Sequence, residues 1–177
     1  MNTKLITITL ILIGTMFTLK AQATPINVDR VVSVVGDMVI THSDTQLEAA
    51  IDAVMPSTTH PFSTPSLIER TEEMRLVLQV AIGVRSYQPT DSEIASRTAQ
   101  MRMAWGDSWP AFVTQFGLDE ITLHQLVRTR LTIERYVARN INGYSEAEWA
   151  DWVDRRRAQT TIRRVAPQSI GDSTADP

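Results

Sequence analysis

The pattern of apolar and polar residues changes along the chain, and its first part predicts a β-hairpin. Residues 28–35 (VDRVVSVV) are rich in β-branched side chains, which is typical of a strand. Gly36-Asp37 is a turn signal, because glycine tolerates the positive φ that tight hairpin turns require. Met38–Thr41 (MVIT) predicts the returning strand. A lone hairpin is only marginally stable in water, so helices or a third strand must pack against it.

The pattern then becomes helical, with capping residues, prolines and glycines between the segments. Thr90 and Ser145 each begin a capping box, in which a glutamate three residues later returns a hydrogen bond to the cap. A segment with three prolines, residues 56–65, predicts a loop between the first two helices. The predicted helices cover residues 44–55, 67–84, 91–105, a short segment containing Pro110, 120–140 and 146–159.

Two of these helices leave alternatives open. The first begins after either Thr41 or Ser43, both of which are good N-cap residues. The second half of the next helix, residues 76–84, is apolar nearly all round, which is typical of a helix buried at the centre of a domain. Periodicity alone does not distinguish such a run from a buried strand. Gly106–Ser108 is predicted to end the third helix and to cap the short one that follows.

Residues 160–165 (TTIRRV) alternate and predict a final strand. The predicted fold class is therefore mainly α with a small antiparallel sheet, built from the N-terminal hairpin and this C-terminal strand.

The first 23 residues have the layout of a secretory signal peptide. Lys4 gives a positive start, Leu5–Leu19 is uncharged and largely apolar, and Ala21-Gln22-Ala23 is a small-x-small cleavage pattern. Fifteen helical residues span about 22 Å, less than the ~30 Å hydrocarbon core, which favours cleavage over a membrane anchor. We expect no membrane span after cleavage, one domain at residues 24–165, and a disordered polar tail at residues 166–177.

Composition and charge exclude several classes of function. The 177 residues include no cysteine, which excludes a disulfide scaffold, a thiolate nucleophile and Cys-based metal sites. The formal net charge of −3 argues against a dedicated nucleic-acid-binding protein, which usually carries a basic excess. The densest basic patch consists of Arg155–Arg157 with Arg163-Arg164. We interpret it as a solvated helix face and strand edge, with docking of an acidic client or an anionic surface as the alternative.

Motifs for catalysis and for metal or cofactor binding are scarce. The sequence has no HExxH, no GxSxG and no glycine-rich phosphate loop, and we expect no catalytic residue, no metal ion and no cofactor. Glu120 and His124 share one helix face, which is more typical of a surface pair than of a metal site. The adjacent acids Glu72-Glu73 and Asp119-Glu120 diverge, so we expect capping or surface roles for them.

Methionine and aromatic side chains are concentrated in one short stretch of the sequence. Most of them are expected to pack in the core. An exposed subset would line a groove for an apolar polypeptide, because methionine adapts its shape and tryptophan covers a large area at low entropic cost. The candidate binding residues are Met101, Met103, Trp105, Trp109 and Phe112.

Several motifs occur in a distinctive order. Residues 28–41 follow the pattern of a VD-x-V-x-x-VV strand, a polar turn and a V-I-T strand, and Ser43-Asp44 then opens a helix. Residues 89–93 (PTDSE) open another helix, and residues 148–165 contain a terminal helix and strand. This order resembles the SurA family of periplasmic chaperones, whose terminal helix and strand complete an N-terminal chaperone unit. The resemblance covers about residues 27–165.

The resemblance implies an ATP-independent holdase of the periplasm whose partners are unfolded outer-membrane or secreted proteins. Members of the family usually carry parvulin-type prolyl isomerase domains between these two parts. Here only a few residues separate Asn140 from Ser145, whereas a further domain needs on the order of 100 residues, so we expect no isomerase activity.

Two other functions remain as alternatives. One is a non-catalytic envelope adaptor or a module that forms a homodimer, and the other, less favoured, is a peptidyl-prolyl isomerase. An exposed cluster of methionine and tryptophan side chains would favour the chaperone. A closed cluster, or one sealed in a homodimer, would favour the adaptor.

Overall fold

A computed structural model describes residues 29–56, 66–141 and 143–165. Over these ranges the protein is mainly helical with a small three-stranded antiparallel sheet, which confirms the predicted fold class. The predicted signal peptide, most of the predicted proline-rich loop and the predicted C-terminal tail lie outside the described residues.

The sheet joins the beginning of the described chain to its end. Strands β1 (Val31–Val35) and β2 (Met38–Thr41) form the predicted hairpin, and β3 (Ile162–Arg164) pairs with the other side of β1. Gly36 turns the hairpin with a φ of 62°, and a Cβ atom there would overlap with the side-chain nitrogen of Gln79. The positive φ favours glycine at this turn, whereas the flexible end of the Gln79 side chain could move aside.

Six α-helices account for most of the described chain, and five of them begin at a side-chain cap. The capping residues Thr90 and Ser145 form the predicted capping boxes, and Thr41 rather than Ser43 caps the first helix. The bounds are α1 His42–Val54, α2 Leu67–Ala81, α3 Asp91–Trp105, α4 Trp109–Gln115, α5 Glu120–Asn140 and α6 Glu146–Gln159.

The structure corrects two local predictions. Helix α2 ends at Ala81 instead of continuing to residue 84, and Ile82 and Val84 are exposed. Gly83, a poor helix former, falls in the turn that ends the apolar run. The predicted cap of α4 is absent: residues 106–108 form one turn of 3₁₀ helix, and Ser108 has a helical backbone conformation in which its side chain makes no capping bond.

The buried apolar residues form two clusters. The sheet-side core lies between the sheet, α2, α6 and the C-terminal half of α5, whereas the helix-side core lies between α1, α3, α4 and the N-terminal half of α5. Helix α5 contributes Leu123 and Val127 to the helix-side core and Ile133 and Val137 to the sheet-side core. This long helix is therefore shared by both halves of the protein.

No helix among the described residues is long and apolar enough to cross a membrane.

Candidate functional site

A groove on the helix side has one wall made by a single face of α3. Asp91, Ala95, Thr98, Ala99 and Arg102 line it at intervals of one to four residues. Residues three or four apart lie on the same face of a helix, so they form a continuous stripe. The three central side chains are small, which leaves a depression between the charged residues at the two ends.

The opposite wall comes from α4, the start of α5 and the loop between them. Trp109 and Val113 of α4 and Leu118 of the loop are half-buried, and Leu123 of α5 lies below them. The groove has a volume of about 620 Å³ and is open to solvent. This volume is within the range of roughly 300–1,000 Å³ that is typical of ligand sites.

The five predicted binding residues have different positions. Met101 and Phe112 are buried in the helix-side core, whereas Trp105 and Trp109 are half-buried at its surface. Met103 is 74% exposed and is not part of either core. The structure thus brings four of the residues together, and only Trp109 lines the groove itself.

The aromatic rings behind the groove pack closely against one another. The ring centroids of Trp105 and Phe112 are 4.3 Å apart, those of Trp109 and Phe112 are 5.6 Å apart, and Phe116 is 5.4 Å from Phe112. The guanidinium of Arg102 lies over the ring of Trp109 at 5.7 Å. Such contacts hold Trp109 in a defined orientation, so the wall of the groove is formed before any ligand arrives.

Acidic residues at two helix starts form one end of the groove. Asp119 caps α5 by accepting the backbone N–H of Thr122 at 2.7 Å, and this hydrogen bond lowers its pKa below the ordinary value. Asp91 at the start of α3 accepts a hydrogen bond from Arg128 at 3.2 Å, and His124 lies 3.7 Å away from the same carboxylate. His124 therefore faces α3 across the groove, in addition to sharing a helix face with Glu120 as predicted.

Sequence reasoning missed the small residues of α3 that shape this groove. Ala95, Thr98 and Ala99 look like ordinary helix formers and carry no chemistry of their own. Their spacing between Asp91 and Arg102 is the one sequence signal that indicates a depression, because it places small side chains along a single helix face.

The expected surface role of Glu72 is wrong. This side chain is 0% exposed and lies under the sheet, where it accepts Ser33 Oγ at 2.6 Å. Arg164 of β3 binds both of its oxygens, at 2.9 and 2.7 Å. Burial alone would raise the pKa of Glu72, but the hydrogen bonds from Arg164 and Ser33 outweigh burial and lower the pKa. Glu72 therefore holds the last strand onto α2.

Most arginines of the predicted basic patch also make ion pairs or ring contacts with other residues of the protein. Arg157 pairs with Glu73 at 3.3 Å, which corrects the surface role expected for that acid too, since Glu73 is buried. Arg156 lies over the ring of Trp152, and Arg155 pairs with Asp151 on the same helix face. The patch thus has less uncompensated charge for an acidic partner than its sequence indicates.

A second cluster of charged groups lies where α1, α2 and α5 meet. Arg130 is buried and binds both Glu48 and Asp52, and Arg70 binds Asp52 from α2. Burial raises the pKa of Glu48 even though Arg130 acts in the opposite direction. The carboxylates are paired with arginines, although the buried Nε of Arg70 has no hydrogen-bond partner among the described residues. Because the adjacent cavity of about 140 Å³ is small, we assign the cluster to the fold rather than to a ligand.

Among the described residues, no group of three or more histidine, aspartate and glutamate side chains is arranged to hold a metal ion. The sequence matches no protein-family model, and no curated protein is significantly similar to it.

Proposed function

We propose that the protein is an ATP-independent chaperone of the periplasm that holds unfolded outer-membrane or secreted proteins and has no catalytic activity. The resemblance of residues 27–165 to the SurA family and the signal-peptide pattern at the N-terminus support the class and the location. The observation that carries the proposal is the open groove on the helix side, with Trp109 on its wall and packed aromatic rings behind it.

The dimensions of the groove fit weak, reversible binding. Each apolar side chain that a client buries there contributes ~1.5–3 kcal/mol. A few such side chains, less the cost of ordering the client, give an affinity near micromolar, which corresponds to about −8 kcal/mol. Binding of that strength holds a client and still releases it without ATP.

The proposal is tested by light scattering of an outer-membrane protein that is diluted from denaturant with or without the purified protein. We expect the wild-type protein to suppress aggregation. Ala99→Trp places a large ring in the groove and should abolish most of the suppression. Ala104→Trp adds the same ring to an exposed position of α3 that does not line the groove, and it should leave suppression intact.

Two results would contradict this proposal. One is the absence of suppression by excess wild-type protein, and the other is equal suppression by the two tryptophan variants. Accelerated cis/trans exchange of a proline peptide would contradict the non-catalytic part of the proposal.

The adaptor or homodimer remains the second candidate, because part of the predicted cluster is closed. Met101 and Phe112 are buried within the protein and offer no surface to a client. Val39 of β2 and Val165 after β3, at opposite edges of the sheet, are exposed apolar residues outside the groove. A concentration-dependent dimer mass in light scattering after gel filtration, together with no suppression of aggregation, would favour this candidate.

A further inference from the structure

The two ends of the groove differ in charge. Asp91, Asp119 and Glu120 line one end, at the starts of α3 and α5. Arg102 lines the same wall eleven residues further along α3, which corresponds to about 16 Å of helix. Trp109, Leu118 and the small face of α3 line the space between them.

The acidic end keeps a net negative charge after its neighbours are taken into account. Each helix start contributes roughly half a positive charge, so the starts of α3 and α5 together offset about one of the three carboxylates. Arg128 and His124 both lie beside Asp91, at 3.2 and 3.7 Å, and Arg128 offsets part of its charge. The side chain of Asp91 is 87% exposed, and Glu120 is exposed as well, so their charge reaches the solvent at the mouth of the groove.

From this arrangement we propose that the groove binds apolar peptide segments that carry a basic residue at one end. This inference rests on the proposed function. The apolar side chains pack against Trp109 and the small residues of α3, and the lysine or arginine lies against the carboxylates. An extended chain advances about 3.3 Å per residue, so the distance from Asp91 to Arg102 accommodates roughly five residues. Arg102 at the opposite end disfavours a second basic residue there and thus selects the direction of the peptide.

The experiment measures fluorescence anisotropy of labelled peptides that share one apolar, aromatic core of five residues. One peptide has two lysines before the core, one has two lysines after it, one has two serines, and one has two glutamates. We expect one of the lysine peptides to bind about fivefold more tightly than the serine peptide and the glutamate peptide to bind more weakly. The preference should weaken at 1 M salt, where the screening length falls to about 3 Å.

A triple variant at the acidic end tests whether the preference for the lysine peptide arises in the groove. Asp91→Asn, Asp119→Asn and Glu120→Gln together remove the three charges, and asparagine keeps the N-cap of α5. This variant should bind the lysine and serine peptides equally. The control variant Asp37→Asn, Glu146→Gln and Asp154→Asn removes three exposed charges elsewhere and should keep the preference. The single variant Glu120→Gln, which changes no cap, should reduce the preference partly and covers the case in which the triple variant unfolds.

The outcomes separate this inference from the proposed function. Equal binding of the lysine and serine peptides overturns the charge preference and leaves the chaperone proposal standing. Tighter binding of the glutamate peptide, or loss of the preference in the control variant, also overturns it. No binding of any of the four peptides overturns both.

Discussion

The sheet side and the helix side each bury a glutamate beside an arginine, but the two pairs differ in their access to water. Glu72 under the sheet is fully buried, whereas the side chain of its partner Arg164 is 51% exposed. Arg130, the partner of Glu48, is only 7% exposed. Hydrogen bonds prevail over burial at Glu72 and lower its pKa, whereas burial prevails at Glu48 and raises the pKa. A buried carboxylate beside an arginine can therefore have a lowered or a raised pKa, according to the balance between its hydrogen bonds and the loss of water around the pair.

The tryptophans of the two sides show the reverse contrast. Trp149 and Trp152 of α6 are buried in the sheet-side core, with nearly parallel rings 5.2 Å apart. Trp105 and Trp109 of the helix side remain half-buried beside an open groove. The sheet side thus buries its tryptophans, whereas the helix side leaves its tryptophans partly accessible.

The largest expected effect comes from removing the arginine of each pair. Arg130→Leu leaves Glu48 and Asp52 without their shared cation in a buried site, and it should lower the free energy of unfolding by about 3–5 kcal/mol. Arg164→Leu should cost less, about 2–3 kcal/mol, because Ser33 still binds Glu72 and the arginine that is lost is half exposed to solvent. Chemical denaturation followed by circular dichroism measures both values.

A double variant serves as the control for this comparison. Glu48→Leu with Arg130→Leu removes both members of the buried pair and should recover most of the lost stability, since no buried charge is left alone at that contact. If the double variant is as unstable as Arg130→Leu, packing around α1 and not charge is the source of the loss.

The contributions of the two glutamates to the free energy of unfolding should depend on pH in opposite directions. The pKa of Glu72 is below the ordinary 4.5 in the folded protein, so its stabilising contribution is full above pH 4.5 and is lost as pH falls through the lowered pKa. The pKa of Glu48 is above 4.5, so its contribution is full below pH 4.5 and is lost as pH rises through the raised pKa. Burial also raises the pKa of Glu134, which acts in the same direction as Glu48.

This dependence is measured by urea unfolding of Glu72→Gln and Glu48→Gln on both sides of pH 4.5. Glu72→Gln should reduce the loss of stability in acid. Glu48→Gln should reduce the loss of stability that accompanies rising pH, and the part of that loss that is due to Glu134 should remain. Parallel pH profiles for the two variants would show that the sites do not differ as described.

The smallest expected effect concerns the helix starts. Ser145→Ala removes the capping box of α6 on the sheet side and should cost about 1 kcal/mol. Ser108→Ala at the start of α4 should change stability by less than about 0.5 kcal/mol, because that side chain makes no capping bond. Thermal unfolding of the two variants measures the difference, and equal shifts in Tm would contradict it.

The sequence predicts local features of this fold better than distant ones. The starts of α3 and α6 were predictable because a cap and its partner lie three residues apart. The burial of Glu72 was not, since its partners Ser33 and Arg164 lie 39 and 92 residues away. Trp109 was a predicted site residue, but the groove beside it depends on Ala95 and Ala99, whose importance comes only from the packing of three helices.

The pairing of β3 with β1 has a consequence for the order of folding. Ser33 and Arg163 are in contact although 130 residues separate them, so the sheet closes only when nearly the whole described chain is present. Until then the sheet consists of the two hairpin strands alone, and Glu72 lacks its arginine. Contacts between distant residues form slowly, because the chain must first lose the entropy of closing a long loop. Closure of the sheet is therefore expected to come late in folding, after the local helices that line the groove.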